Sequence, residues 1–156
     1  MLFRSKQKEI EERMKIAIGC DHAAFKEKNI LLKYIKDELN YNVIDLGTYS
    51  SDSVDYPEYG HLVGNAVAKN ETDRGIVLCG SGIGISIAAN KVKGIRAALC
   101  TSKEHAIMSR KHNDANVLAF GVRFTNIEII KSITKVWFNT EFEGNRHLTR
   151  INKIEL

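Results

Sequence analysis

The chain has 156 residues, of which 44% are hydrophobic and 27% are charged, and its formal net charge is +4. These values are typical of a globular domain with one core, and no apolar run approaches the roughly 20 residues of a membrane span. The charge is small and the basic stretches are short, which disfavours a nucleic-acid surface. The modest positive excess favours a small phosphorylated substrate.

The N-terminal segment indicates where the domain begins, and the cysteines indicate the cellular compartment. The first 13 residues are charged and lack the apolar centre of a secretion signal. We expect residues 1–13 to form a disordered extension and residues 14–156 to form one domain. The three cysteines cannot all pair, which indicates reduced thiols in a cytoplasmic protein.

Strands and helices are predicted to alternate along the chain. Five apolar segments predict strands, at residues 15–21, 42–47, 75–80, 96–100 and 116–121. Helical spacing is present at residues 24–39, 57–69, 83–91, 103–111, 126–138 and 147–153. Four of the strands are continuously hydrophobic, as in a parallel sheet covered on both faces. The pattern predicts an α/β fold, a Rossmann-like three-layer sandwich with a five-stranded parallel sheet.

In open sheets of this kind, ligands bind beyond the carboxyl ends of the strands. The residues predicted at that edge include Asp21 and His22 after the first strand, Cys79 after the third and Arg123 after the fifth. Asp21 has a second interpretation as a helix N-cap. A carboxylate, an imidazole, a thiol and a guanidinium on one edge predict a catalytic pocket there.

Cys79 is followed by glycines at alternate positions, Gly80, Gly82 and Gly84, before a helix begins. Glycines let the backbone approach a ligand closely and aim N–H groups at a developing anion. A buried unreactive cysteine is the commoner case, but a helix N-terminus beside glycine amides favours the thiolate. The pattern indicates a base or nucleophile next to an oxyanion hole. The glycine spacing departs from a dinucleotide fingerprint, so a nicotinamide cofactor is not predicted.

His112 lies in a polar cluster directly before the fifth strand. A helix C-cap formed by Asn113 and the basic residues explains that cluster equally well. His112 enters the fifth strand whereas Cys79 leaves the third, and a five-residue strand spans roughly 17 Å. If both residues serve one substrate, a symmetric dimer in which the neighbour supplies His112 is the simplest arrangement.

Arg146 and Arg150 are one helical turn apart, so both can face one phosphate group. A solvated face of a terminal helix is the alternative, and it is the usual role of such charges. No spacing of histidines and cysteines fits a metal site. A metal ion is therefore not predicted.

Several ordered motifs carry a family resemblance. They are Gly19-Cys20-Asp21-His22, Asp55-Tyr56-Pro57, Cys79-Gly80-Ser81-Gly82-Ile83-Gly84, Gly94-Ile95-Arg96-Ala97, His112-Asn113-Asp114-Ala115-Asn116 and Glu143-Gly144-Asn145-Arg146-His147. Through these motifs, residue 14 to about residue 151 resembles the type B ribose-5-phosphate isomerase family, which includes galactose-6-phosphate and allose-6-phosphate isomerases.

The resemblance implies an aldose–ketose isomerase that interconverts ribose 5-phosphate and ribulose 5-phosphate through an enediol, in the pentose phosphate pathway, without metal or organic cofactor. It implies that Cys79 moves a proton between C1 and C2, that Ser81 assists proton movement between the oxygens, and that His112 opens the sugar ring. The substrate-binding residues that it implies are Asp21, His22, Tyr56, Gly80, Gly82, Gly84, Asn113, Arg123, Arg146, His147 and Arg150. It also implies a homodimer, or a dimer of dimers, with the active site at the subunit interface.

Two other functions stay open at this point. One is an isomerase of a six-carbon sugar phosphate, such as allose or galactose 6-phosphate, although the presence of both Cys79 and His112 favours ribose 5-phosphate. The other is a non-catalytic protein that binds a sugar phosphate on the same fold, since a fold does not define a function. A thiol-redox protein is disfavoured because the chain has no Cys-x-x-Cys pair.

Overall fold

The computed structural model of the chain describes residues 13–156. The disordered extension that we expect at residues 1–13 therefore lies outside the described residues, apart from residue 13. Strands and helices alternate in the order β1 (Lys15–Cys20), α1 (Phe25–Lys33), β2 (Asn42–Asp45), α2 (Tyr56–Ala68), β3 (Arg74–Cys79), α3 (Ile83–Asn90), β4 (Ala97–Leu99), α4 (Lys103–Asn113), β5 (Val117–Gly121), α5 (Ile127–Phe138) and α6 (Arg146–Ile151). Within the described residues, no helix is both long enough and apolar enough to cross a membrane.

The strands form one sheet in the order β2-β1-β3-β5-β4, and every neighbouring pair is parallel. The predicted Rossmann-like α/β fold is therefore confirmed. The strand order changes direction between β1 and β3, which is where α/β sheets bind ligands beyond the strand ends. The ends of these two strands are joined there, because the backbone N–H of Asp21 donates to the carbonyl oxygen of Leu78 at 3.3 Å.

Side chains of the central strands alternate between the two faces of the sheet. Along β3, Ile76 and Leu78 belong to an apolar cluster packed by α1, α4 and α5, whereas Val77 and Cys79 belong to a second cluster packed by α2 and α3. The two clusters are the two interfaces between the sheet and its helical layers. Cys79 therefore faces the α2 and α3 layer.

The edge strands differ from expectation. The central strands β1, β3 and β5 are buried apart from the first residue of β1 and of β3, but β2 and β4 are only partly buried. Four of the predicted strands are continuously apolar, and this pattern predicted that both faces of each would be buried. An edge strand has a neighbour on one side only, so part of it stays in contact with solvent.

The first predicted helix, residues 24–39, consists of three pieces. A 3₁₀ turn covers His22–Ala24, α1 follows, and a π-helical turn covers Tyr34–Glu38. The turn starts earlier than predicted because Oδ1 of Asp21 accepts a hydrogen bond from the backbone N–H of Ala23 at 3.1 Å. The N-cap interpretation of Asp21 is thus confirmed.

Candidate active site

A pocket of about 480 Å³ opens where β1, β3 and β5 end. Its lining residues are Asp21, Tyr56, Cys79, Gly80, Ser81, Ile83, Gly84, Ile87 and Arg123. Most of these are residues that the sequence pattern and the resemblance assigned to the site. A larger groove of about 640 Å³ between the π-helical turn and α5 is lined by lysines, glutamates and other side chains but has no thiol or imidazole. The chemistry therefore points to the smaller pocket.

Cys79 is the last residue of β3 and is only 4% exposed, yet it lines this pocket. Its Sγ atom accepts a hydrogen bond from the backbone N–H of Gly82 at 3.1 Å. A donor aimed at the sulfur suits a thiolate better than a thiol. One amide of the predicted glycine cradle is therefore directed at the sulfur itself.

The other two cysteines have no such setting. Cys20 and Cys100 are free thiols with 0% and 1% of their surface exposed. Burial raises the pKa of each thiol to about 11. A protonated thiol is a poor nucleophile. These two thiols are part of the packed interior.

Two glycines bring other side chains close to the pocket wall. A Cβ atom at Gly84 would lie 2.6 Å from Cζ of Tyr56, so the phenol ring can pack on the start of α3 only because residue 84 has no side chain. A Cβ atom at Gly80 would lie 2.9 Å from Cζ of Arg123. The sequence analysis predicted that these glycines let a ligand approach, and the structure shows that both positions also make room for a protein side chain.

Ser81 and His22 are held by local hydrogen bonds. Oγ of Ser81 accepts from the backbone N–H of Ile83 at 3.2 Å, at the first turn of α3. Nδ1 of His22 lies 3.1 Å from both the N and the O of Val54. Because Nδ1 is engaged with the backbone, Nε2 is the nitrogen of His22 left to meet a ligand.

The other predicted site residues do not line this pocket. They form a second group on α4 and α6, which consists of His112, Asn113, Arg146, His147 and Arg150. Arg146 and Arg150 are exposed on α6, whereas His147 is buried. Asn113 is the last residue of α4 and lines a separate hollow of about 430 Å³. The alternative interpretation, in which Asn113 caps α4, is wrong, because Asp114 takes the left-handed cap position with φ of +44°.

His112 stands close to His147 in this second group. The two imidazole rings are stacked, with centroids 4.3 Å apart and planes 14° from parallel. Oε2 of Glu143 lies 3.6 Å from Nε2 of His147. Burial and the nearby charges of His112 and Arg146 lower the pKa of His147 below its ordinary 6.5, against the opposing effect of Glu143.

One chain does not bring the two groups together in a single pocket. β3 and β5 are parallel neighbours, with Cys79 paired to Gly121 at their carboxyl ends. His112 precedes β5 and so lies toward the amino ends of the strands, whereas Cys79 lies at their carboxyl ends. A strand of this length separates the two ends by roughly 17 Å. None of the second group lines the Cys79 pocket.

Glu143 is part of one of the quoted motifs, but the sequence analysis gave it no role. Its spacing of four residues from His147 was the available signal. His112, Glu143 and His147 place three metal-binding atoms within 4.8 Å of one another. A metal ion needs two imidazole lone pairs to converge on it at about 2.0–2.1 Å, and stacked rings keep them in separate planes. The stack therefore fits packing better than chelation.

An all-parallel sheet that ends in a pocket with a thiol, a carboxylate and a guanidinium defines an α/β enzyme for a small anionic substrate. Comparison with known proteins gives the family. The sequence model of the family described as Ribose/Galactose Isomerase matches residues 16–154. Ribose-5-phosphate isomerase B of Escherichia coli (strain K12) is 49% identical over 140 residues, which cover 90% of this chain and 93% of that protein.

Solved structures agree. The ribose-5-phosphate isomerase B of Clostridium thermocellum is 52% identical, with a TM-score of 0.89, over 90% of this chain and 95% of that one. The ribose-5-phosphate isomerase B of Mycoplasma genitalium with bound ribulose-5-phosphate is 41% identical, with a TM-score of 0.86, over 90% of this chain and 93% of that one. The chain belongs to the ribose/galactose isomerase family. The resemblance inferred from the motifs is confirmed, and the protein is an isomerase.

Proposed function

We propose that this enzyme interconverts ribose 5-phosphate and ribulose 5-phosphate, as in the pentose phosphate pathway. The observation that carries the proposal is the position of Cys79 on the wall of the 480 Å³ pocket, beside Asp21 and Arg123. A base, a hydroxyl-binding carboxylate and a phosphate-binding guanidinium are the groups that this reaction requires. The bound ribulose-5-phosphate in the Mycoplasma genitalium relative supports the same substrate.

The proton transfers begin at Cys79. Its thiolate removes the proton on C2 of the open-chain aldose, and the electron pair moves through C1 to leave an enediolate with negative charge on O1. Ser81 assists transfer of the O2 proton to O1, and the thiol returns its proton to C1 to give the ketose. C2 is oxidised as C1 is reduced, so the step balances without an added oxidant. Backbone N–H groups at the start of α3 stabilise the charge on O1.

A cyclic aldose has to open before C2 can react. We assign this acid–base step to His112 of the partner subunit. Within one chain, His112 lies toward the amino ends of the strands and Cys79 lies at their carboxyl ends. The phosphate is then held by His22 and Arg123 of one subunit and by Arg146 and Arg150 of the other. Asp21 and the partner's Asn113 bind sugar hydroxyls, and Tyr56 closes the pocket wall.

An exposed apolar surface beside the pocket supports this homodimer. Ile83 and Ile87, one turn apart on α3, line the pocket and are each 54% exposed. Leu62 on the adjacent α2 is 47% exposed. Exposed apolar side chains of this size are typical of subunit interfaces. A cytoplasmic location accords with three free cysteines.

The proposal is tested by assaying the purified enzyme with ribose 5-phosphate, allose 6-phosphate and galactose 6-phosphate at matched concentrations. We expect the five-carbon substrate to have the highest kcat/KM. Cys79→Ala should abolish turnover while substrate binding persists, and Cys100→Ala is the matched control that removes a buried thiol outside the pocket. A higher kcat/KM for a six-carbon substrate would favour that alternative. Retained activity in Cys79→Ala would exclude the mechanism.

A further inference from the structure

His147 is packed flat against His112 and has little access to solvent. The ring centroids are 4.3 Å apart and the planes are 14° from parallel. His147 is 5% exposed, whereas His112 is partly exposed at the last turn of α4. His112 can therefore meet a substrate while His147 supports it from behind.

The nitrogen Nε2 of His147 is covered. It has no hydrogen-bond partner among residues 13–156, and the 3.6 Å separation from Oε2 of Glu143 exceeds a hydrogen-bond length. A substrate oxygen has no route to this atom in the described structure. Direct binding of substrate through Nε2, as the resemblance suggested for His147, is therefore disfavoured.

The segment that carries His147 is also attached to the helix that carries His112. The backbone N–H of Glu143 donates to the carbonyl oxygen of Lys111 at 3.1 Å. The chain then turns sharply through Gly144 and Asn145, which have φ values of +70° and +52°. The backbone N–H of His147 donates back to the Gly144 carbonyl oxygen at 3.1 Å, which starts α6. Both rings of the stack are thus held on one connected backbone unit.

We propose that His147 is a positioning residue, whose buried ring fixes the orientation of the His112 imidazole for opening of the sugar ring. This inference rests on the proposed function of His112. An imidazole at the end of a helix has several rotamers, and a flat aromatic contact selects one of them. Stacked aromatic pairs contribute enough interaction energy for about a tenfold effect on rate.

The test compares a cyclic with an open-chain aldose substrate. Ribose 5-phosphate is cyclic in solution, whereas 4-deoxyribose 5-phosphate has no 4-hydroxyl to close a furanose ring and has its 5-hydroxyl blocked by phosphate. We expect His147→Ala to lower kcat for ribose 5-phosphate by about tenfold. The kcat for the 4-deoxy substrate should change by less than about twofold, and KM should be nearly unchanged for both substrates. His147→Phe, which keeps a stacked ring, should restore most of the lost rate.

The controls separate the possible outcomes. His105→Ala removes an exposed histidine from the same helix α4 and should behave as wild type. A raised KM for both substrates would make His147 a substrate ligand, and equal losses of kcat for both substrates would make it structural. Either result overturns the inference. Failure of the proposed function looks different, since wild type would then not convert ribose 5-phosphate, or His112→Ala would lower kcat equally for the two substrates.

Discussion

The guanidinium of Arg123 lies over the backbone of Gly80, so closely that a Cβ atom on residue 80 would be 2.9 Å from Cζ and 2.9 Å from Nη1. The backbone N–H of Arg123 also donates to the carbonyl oxygen of Gly80 at 3.0 Å. Gly80 follows β3 and Arg123 follows β5, so this contact joins the ends of two neighbouring strands at the pocket. The cation is held where the proposed phosphate would bind.

Gly80→Ala should therefore displace the Arg123 side chain. Loss of a charge-assisted contact to phosphate should raise KM for ribose 5-phosphate about tenfold or more, with a smaller change in kcat. Steady-state kinetics measure both. In the Arg123→Ala background the Gly80→Ala change should add little, because the side chain that it displaces is already gone. A full additional loss in the double variant would show that residue 80 acts by another route.

Mixing two inactive variants tests the shared active site. Cys79→Ala and His112→Ala homodimers should each have little activity on ribose 5-phosphate. After denaturation and refolding as an equal mixture, half of the dimers are mixed, and each mixed dimer has one site with both residues intact. We expect about a quarter of wild-type activity from this random pairing. If the recovered activity is no more than the average of the two variants, Cys79 and His112 of different subunits do not serve one site.

Lys28 is fully buried on α1 and supports the loop beside the pocket. Its Nζ donates to Oδ1 and Oδ2 of Asp45 at 2.8 and 2.9 Å and to the carbonyl oxygen of Thr48 at 2.8 Å. Lys28→Met should lower the free energy of unfolding by about 3 kcal/mol, because it leaves the Asp45 carboxylate without its cation. Urea unfolding provides the measurement.

The control for this prediction is Lys26→Met, at an exposed position of the same helix, which should change stability by less than about 0.5 kcal/mol. Adding Asp45→Asn to Lys28→Met removes the unpaired charge but keeps the side-chain oxygen that accepts from the backbone N–H of Gly47. Part of the lost stability should return. A Lys28→Met variant as stable as wild type would contradict the prediction.

The buried thiols predict a loss of stability in alkaline solution. Burial raises the pKa of Cys20 and of Cys100 from 9.0 to about 11. Between these values the native state keeps protons that the unfolded state releases, so the free energy of unfolding falls as pH rises. The stabilisation is complete below pH 9.0 and is lost as pH approaches about 11. Each thiol contributes roughly 3 kcal/mol over this whole range, about half of it by pH 10.

Urea unfolding of wild type and of Cys20→Ala/Cys100→Ala measures this effect. Burial lowers the pKa of Arg74 to about 10, and this acts in the opposite direction at higher pH. Measurements from about pH 8 to pH 10 therefore isolate the thiols. We expect a steeper fall in wild type than in the double variant. Equal slopes in the two proteins would assign the alkaline loss to other groups.

Much of the fold follows from patterns between near neighbours in the sequence. Apolar runs mark the strands, and Pro57 lies in the first turn of α2 as its fixed φ requires. Cys79 and the glycines after it were found because a reactive thiol and its amide donors come from one short segment. The separation of His112 from Cys79 followed from strand direction alone.

Other features depend on contacts between distant segments and needed the folded chain. Nothing near Lys28 in sequence indicates that α1 buries its ammonium group against Asp45, and the partial exposure of β2 and β4 depends on strand order. The stack of His147 on His112 arises because a turn after α5 returns the chain to the end of α4. Local periodicity reports backbone conformation and the side of an element that faces the core. The hydrogen-bond or stacking partner of a buried polar group depends on which distant segments pack against it, and this is known only from the tertiary structure.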